Sequence, residues 1–367
     1  MTHPTDRLSL KRRLYPALSD LAGLGADGLA ERLGAIYAEG AAWRGSAPID
    51  RAEGIDGIAD AVWRPLFQAF PDLERRDLIF VAGPTRHDPA LQGDARPMRV
   101  AAMGHLCGTF REPWLGIPPT GGVMYLRYGE VHEIDSDGRI ERTTMLIDVL
   151  DVIRQAGFWP IAPSPGSEET WPGPLHANGI VLSETDEAEG EESISATLAM
   201  HGALADFDDS AAHAEGRLRE ALLQMPQRDH WHPKMMWYGP SGVGTCRGLE
   251  GFVDVHQAPF RISFPNRKGG ATLNEMKDAE GGGHYIQIGD GAFSVTGGFP
   301  SVRAMHLGGE WLGAAPTGRA VGMRVMDFYY HHEGLIRENW VPIDTIDLLR
   351  QMGVDVMGRM QRQFARS

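Results

Sequence analysis

Asp344 closes the run Glu338-Asn-Trp-Val-Pro-Ile-Asp344, with Trp340 and Ile343 close by. A carboxyl group at the inner end of a strand, among apolar neighbours, is partly desolvated. Its pKa then rises toward the range where it takes and returns a proton near neutrality. That is the chemistry of proton abstraction next to a carbonyl. The same residue opens Asp344-Thr-Ile-Asp347, and Asp is a favoured helix N-cap, so capping is a complete competing account. Asp148-Val-Leu-Asp151 fits both descriptions equally.

His306 and His105 each stand on or beside a strand ahead of a Trp-Leu-Gly turn (Trp311–Gly313 and Trp114–Gly116). A neutral imidazole there polarises a carbonyl or passes a proton; satisfaction by a backbone carbonyl is the structural alternative. His284, after three glycines, is a further candidate. Arg324 and Asp327 lie three apart on a strand, so they point to opposite faces and only one lines an interior. Arg127 and Glu130 repeat that arrangement. The structural reading is an ion pair with neighbouring strands; the functional one is an arginine that orients a substrate or keeps Asp344 ionised. Asn339 and Trp340 alternate, so one of them faces in. Asn339 joins His306 as a carbonyl-polarising group, whereas Trp340 and Trp237 read as pocket wall or core.

Metal chemistry finds little support. His230 and His232 flank Trp231, and His331-His332-Glu333 is contiguous, but there is no His-Glu-x-x-His and no paired Cys-x-x-Cys. No metal is expected. Gly239–Gly244 is glycine-rich without matching a phosphate-binding loop, and no Gly-x-Ser-x-Gly elbow occurs.

The elements that must position these residues come in two sets. Trp43–Leu73 overlays Trp237–Arg267 at a constant offset of 194 residues, pairing Gly45 with Gly239, Pro65 with Pro259 and Phe70 with Phe264. A second block pairs Trp114-Leu-Gly116 with Trp311-Leu-Gly313 and Arg127 with Arg324. After a one-residue gap, Asp148, Asp151 and Arg154 pair with Asp344, Asp347 and Arg350. The chain is a duplication: a first domain over 20–160, a Pro-rich and acidic linker over 161–192, and a second domain over 193–367. Helical periodicity at Leu29–Gly40, Ile194–Phe207 and Gly251–Phe260 precedes strand-like runs such as Val123–Ile134, Ala320–His331 and Leu335–Ile343. Helices followed by antiparallel strands imply an α+β fold, a curved sheet wrapped on a helix.

The 367 residues carry a net charge of −14 and two cysteines. That balance argues against a nucleic-acid partner, and two thiols cannot form a disulfide framework. No apolar run is long enough to span a bilayer and no secretory signal is evident, so a cytoplasmic protein with no membrane partner is expected.

The ordered set Trp237-Tyr-Gly-Pro-Ser-Gly-Val-Gly244, Phe264-Pro265, Met305-His-Leu-Gly-Gly-Glu-Trp-Leu-Gly-Ala-Ala-Pro-Thr-Gly318, Glu338–Asp344 and Leu348–Gly353 resembles the SnoaL-like polyketide (ester) cyclases of the nuclear transport factor two-like superfamily. The resemblance covers most of the second copy and, more weakly, the first. It implies two cone-shaped α+β barrels, each with an apolar pocket, no metal or cofactor, and an aspartate as acid/base in an aldol-type ring closure. By motif that residue is Asp344, or Asp148 in the first copy. The expected function is acid/base catalysis on a small, apolar, carbonyl-bearing substrate. Catalysis falls to Asp344, His306 and Asn339, and binding to Trp340, Arg324, His284, Trp237 and Asp327; the first-copy equivalents are Asp148, His105 and Arg127. Hydrolysis of an epoxide, ester or lactone, and a non-catalytic tandem binding or scaffold protein, are the alternatives. The two copies are expected to pair sheet to sheet, and further homodimerisation stays open.

Overall fold

The computed structural model describes residues 6–86, 96–269 and 284–366. The first copy contributes β1 (Tyr37–Gly45), β2 (Arg51–Glu53), β3 (Glu74–Pro84), β4 (Met98–Thr109), β5 (Val123–Ile134) and β6 (Ile140–Ile147). The second contributes β7 (Trp231–Tyr238), β8 (Thr245–Arg247), β9 (Lys268–Gly269), β10 (Ile286–Asp290), β11 (Phe293–Met305), β12 (Ala320–His332) and β13 (Leu335–Trp340). Sheet order is β2-β1-β6-β5-β4-β3 in one and β10-β11-β12-β13-β7-β8 in the other, with β9 beside β11. The fold is α+β and duplicated, as the residue pattern indicates.

The sheets are mixed rather than wholly antiparallel. The first strand of each copy pairs in parallel with the last, β1 with β6 and β7 with β13. This places the first long strand of each copy inside its sheet, between a short edge strand and the last strand, with the helix that follows packed on it. The tail of Leu29–Gly40, read as helix, is strand from Tyr37 onward. Pairing on both sides, with β2 and with β6, decided that segment over the helix preference of its alanines.

Backbone irregularities repeat along with the residues. Each copy inserts a π-helical turn in the same place, Ala59–Trp63 and Val253–Gln257, between two short α-helices. Leu115 and Leu312 both take φ of 52°, a conformation a leucine rarely adopts. In both, the Trp-Leu-Gly turn is closed by a bridge, Trp114 to Ile117 and Trp311 to Ala314.

Strand alternation gives each sheet two apolar faces. Val100, Ala102 and Leu106 of β4 face one core, whereas Ala101 and Met103 face Ile288, Val295, Met326 and Phe328 of the other sheet. The two sheets thus pack against each other through buried side chains. Gly129 makes the approach possible: a Cβ there would lie 2.6 Å from Pro342 Cγ.

The Pro-rich stretch between the copies is an ordered strap. Gly166 and Ser167 pair with Val243 and Thr245, and Phe80 pairs with Gly179 and Val181. Trp171 is buried beneath the Arg127 guanidinium. The acidic run does not stay extended: Asp186 caps a helix, Glu187–Ala205, whose first turn holds Glu187 and Glu189. Acidic side chains suit the positive end of a helix dipole, so charge that argues for extension in isolation favours a helix start here. Ahead of residue 20, the helix Arg7–Gly23 packs on β3 and ties the copies together through a buried Lys11–Asp290 pair at 2.6 Å.

Among the described residues no helix is long and apolar enough to cross a membrane.

Candidate functional site

A cavity of about 210 Å³ opens inside the second cone. One wall is helical: Phe252, His256 and Phe260 recur at four-residue spacing, which stacks them on one face. His256 lies flat on Trp237, with ring centroids 4.5 Å apart and planes 17° apart. The facing wall is sheet. Val325, Asp327 and Tyr329 point in from β12, whereas Met326, Phe328 and Tyr330 between them point to the other copy. Asn339 points in from β13 and its neighbour Trp340 points out, stacked on Tyr238 with its Nε1 donating to the Pro172 carbonyl. Met200, His201 and Leu204 complete the enclosure from Glu187–Ala205.

The polar groups converge on Asp327. Asn339 Nδ2 approaches Asp327 Oδ1 at 3.5 Å and donates to the Phe328 carbonyl at 3.2 Å. His284 Nε2 stands 3.9 Å from Asp327 Oδ2. The Tyr329 hydroxyl is 2.8 Å from His201 Nε2 and adjoins the Asp327 carboxylate. Burial drives the Tyr329 pKa well above its usual value, so the hydroxyl remains a donor. Burial pushes His201 down to about 3 and His256 to about 4, so both imidazoles are neutral at pH 7. His256 Nδ1 and His284 Nδ1 are buried without a hydrogen-bond partner among the described residues. The cavity therefore holds one carboxylate with hydrogen-bonding side chains gathered around it, two guanidiniums on the helical side, and apolar and aromatic walls.

Of the residues singled out from the sequence, Asp327, His284, Asn339 and Trp237 meet here. Asp344 does not line the cavity. It caps the helix Thr345–Gln351 through the Asp347 amide, and Oδ2 accepts from Arg324 Nη1 and from the Ala47 amide of the other copy, each at 2.9 Å. Its pKa is raised to about 6 by burial, as the sequence implied, but the burying surface is the interface between the copies rather than a pocket. Arg324 lies on the outer face of β12, bound to Asp50, Asp344 and Asp347. His306 is buried outside the cavity, with Nε2 on the Gly309 carbonyl and its ring against Phe264.

The first copy repeats the interface. Asp148 caps Val149–Gln155 and accepts from Arg127 and from the Ser241 amide, both at 2.8 Å. His105 packs edge-on against Tyr125, with burial lowering its pKa to about 4.

The first copy does not repeat the side chains that meet in the cavity. Glu130, Thr143 and His132 occupy the positions of Asp327, Asn339 and Tyr329. Glu130 is bound by Arg75 at 2.6 Å and by His132 at 3.0 Å, Arg75 also pairs with Asp77, and Thr143 bonds His132 and Tyr37. All of these side chains are buried, so an ionic network stands in the first cone at the positions that line the cavity of the second.

His201, His256 and Tyr329 were not singled out from the sequence. Tyr329 was within reach, since it shares a strand face with Asp327. His256 was marked by the Phe252–His256–Phe260 spacing within a segment read as helix.

Among the described residues no group of three or more His, Cys, Asp or Glu is arranged to hold a metal ion.

Residues 301–352 match the family model described as SnoaL-like polyketide cyclase. A crystal structure of a candidate SnoaL-like polyketide cyclase from Jannaschia sp. CCS1 is 25% identical, covering 40% of this chain and 90% of its own, with a TM-score of 0.29. A candidate polyketide cyclase from Xanthomonas campestris pv. campestris is 20% identical over 40% of this chain and 99% of its own, TM-score 0.31. IdmH from Streptomyces antibioticus, also a candidate polyketide cyclase, is 20% identical over 39% and 98%, TM-score 0.30. No curated protein matches the chain.

Proposed function

We propose that this tandem SnoaL-like protein is an enzyme of the cyclase or isomerase type whose second cone moves a proton next to a substrate carbonyl. Asp327 is the proton carrier. Tyr329, Asn339 and His284 are the groups that meet the carbonyl oxygen as negative charge develops on it. The observation that carries this reading is the convergence of those side chains on a single carboxylate inside an aromatic-walled cavity.

The chemistry follows from the protonation states. Asp327 takes a proton from the carbon beside the carbonyl, leaving an enolate. The Tyr329 hydroxyl, kept protonated by burial, donates to the enolate oxygen, and His201 Nε2 in its protonated tautomer supports the phenolic oxygen. The enolate carbon then attacks a second carbonyl of the same substrate, or is reprotonated at another carbon. The first outcome closes a ring and the second isomerises; Asp327 returns its proton in either. A positioned acid/base group contributes about 10²- to 10⁴-fold.

Exchange of carbon-bound hydrogen tests this without the natural substrate. 2-Tetralone in D₂O, followed by NMR, should lose its α-protons faster with the protein than with buffer. Asp327→Asn should remove at least 100-fold of that acceleration. Undiminished exchange in a folded Asp327→Asn variant would exclude Asp327 as the base.

A further inference from the structure

The helical side of the cavity carries two guanidiniums, Arg261 and Arg267. A single carboxylate serves both: Asp209 lies 2.7 Å from Arg261 Nη1 and 3.0 Å from Arg267 Nη2. Arg261 is largely engaged: besides Asp209, its donors go to Gln257, the Leu204 carbonyl and the Met225 sulfur, four of its five N–H groups in all, and its face lies over Phe207. Arg267 is not. Beyond Asp209 it makes one long bond, 3.4 Å to the Phe264 carbonyl, which leaves three of its five N–H groups without an acceptor among the described residues. Its side chain is 17% exposed.

The fold does not require these charges. The corresponding residues of the first copy are Phe67 and Leu73, both buried, on the same helix and the turn that follows it. The second copy therefore carries two cations at the wall of its cavity where the first has apolar side chains, with one anion between them. The surplus is one positive charge, and it resides on the arginine with unused donors. A planar guanidinium in an apolar enclosure matches a planar anion, and a carboxylate accepts two of its N–H groups at once.

We propose that Arg267 is the anchor for a carboxylate on the substrate, so that the second cone takes a small cyclic or aromatic acid bearing an enolisable carbonyl. The proposal rests on the acid/base reading of the cavity and narrows its substrate class. A carboxylate held by Arg267 on the helical wall is kept off the Asp327 carboxylate on the sheet wall, and the carbonyl arm is directed to Asp327 instead. Size agrees: a cavity of about 150 Å³ holds benzene, so about 210 Å³ admits one ring with a carboxylate and a short arm.

Titration calorimetry with benzoate and benzamide tests the anchor apart from the chemistry. Benzoate should bind the whole protein at least tenfold more tightly than benzamide. Arg267→Met should abolish that ratio and leave benzamide unchanged. Arg267→Lys, which keeps the charge without the fork, should weaken benzoate several-fold and stands in should the Met variant fail to fold. Asp327→Asn should preserve the preference, so loss of 2-tetralone exchange bears on the base and loss of the benzoate preference on the anchor. Equal affinities in the native protein, parallel loss of both ligands in a folded Arg267 variant, or binding of neither would overturn the assignment.

Discussion

The Ala47 amide donates to Asp344 Oδ2 across the interface at 2.9 Å, and the relation is mirrored where the Ser241 amide donates to Asp148 Oδ2 at 2.8 Å. Ala47 and Ser241 are themselves equivalent residues of the two copies. Each late aspartate therefore caps the helix that follows its last strand and fastens the opposite copy's loop. The pair accounts for motif residues that resemble a catalytic acid yet face no cavity.

Asp344→Ala should consequently cost stability rather than turnover. It removes a helix cap and leaves the largely buried Arg324 without one of its three carboxylates. Losing a cap costs about 1 kcal/mol and breaking a buried ion pair about 3 kcal/mol or more. The urea midpoint should fall accordingly, while the exchange rate per folded molecule stays within about twofold of native, well short of the 10²-fold of a lost acid/base group. A stable but inactive variant would return Asp344 to the chemistry.

Tyr329→Phe should keep the fold and lose rate. Removing one donor from a developing oxyanion costs about 10²- to 10³-fold. His201→Phe should cost less, because in this reading that imidazole acts through the Tyr329 hydroxyl. The comparison is of 2-tetralone exchange rates; equal losses in the two variants would contradict the assigned order of contact.

Glu130→Gln tests the ionic network of the first cone. It removes the charge that Arg75 and His132 share in the first copy, so the denaturation midpoint should drop, with no change in exchange rate. A lowered rate at unchanged stability would place chemistry in the first copy instead.

Stability should fall on acidification from pH 6.5 to 4.5. Burial holds His105, His256 and His331 down at about 4 and His201 at about 3, whereas the unfolded chain takes these protons near 6.5. The stability they contribute is complete above pH 6.5 and lost as pH falls toward 4. Asp148 and Asp344, raised to about 6, act oppositely: the folded state binds their protons first and gains as pH drops from 6 to 3.8. Four groups oppose two, and the histidine shifts are no smaller, so the histidines prevail. Urea midpoints at pH 7 and 4.5 decide it; a higher midpoint at pH 4.5 would mean the aspartates dominate.

Local pattern disclosed a good deal of this molecule. Alternation predicted that Arg324 and Asp327 part to opposite faces, and that Asn339 and Trp340 do the same. Val123–Ile134 is a strand with those bounds. What alternation lacks is polarity: it separates the faces without saying which is inside. Asp344 has every local mark of a pocket acid, but its surroundings are set by Ala47, nearly 300 residues earlier, and no periodicity reports a contact at that range. The parallel closure of β7 on β13 is of the same kind. His201 and His256 stayed hidden because a histidine in a helical stripe looks like ordinary core until the opposing wall is known.

Covalent fusion has one more effect. In a dimer of identical subunits every substitution is made twice, so neither half can change its interior alone. Here the halves have separate codons. One interior holds a buried ionic network and the other a hollow with two arginines at its wall. Each half is then bound to its neighbour through the interface alone, and the two interiors answer to different demands.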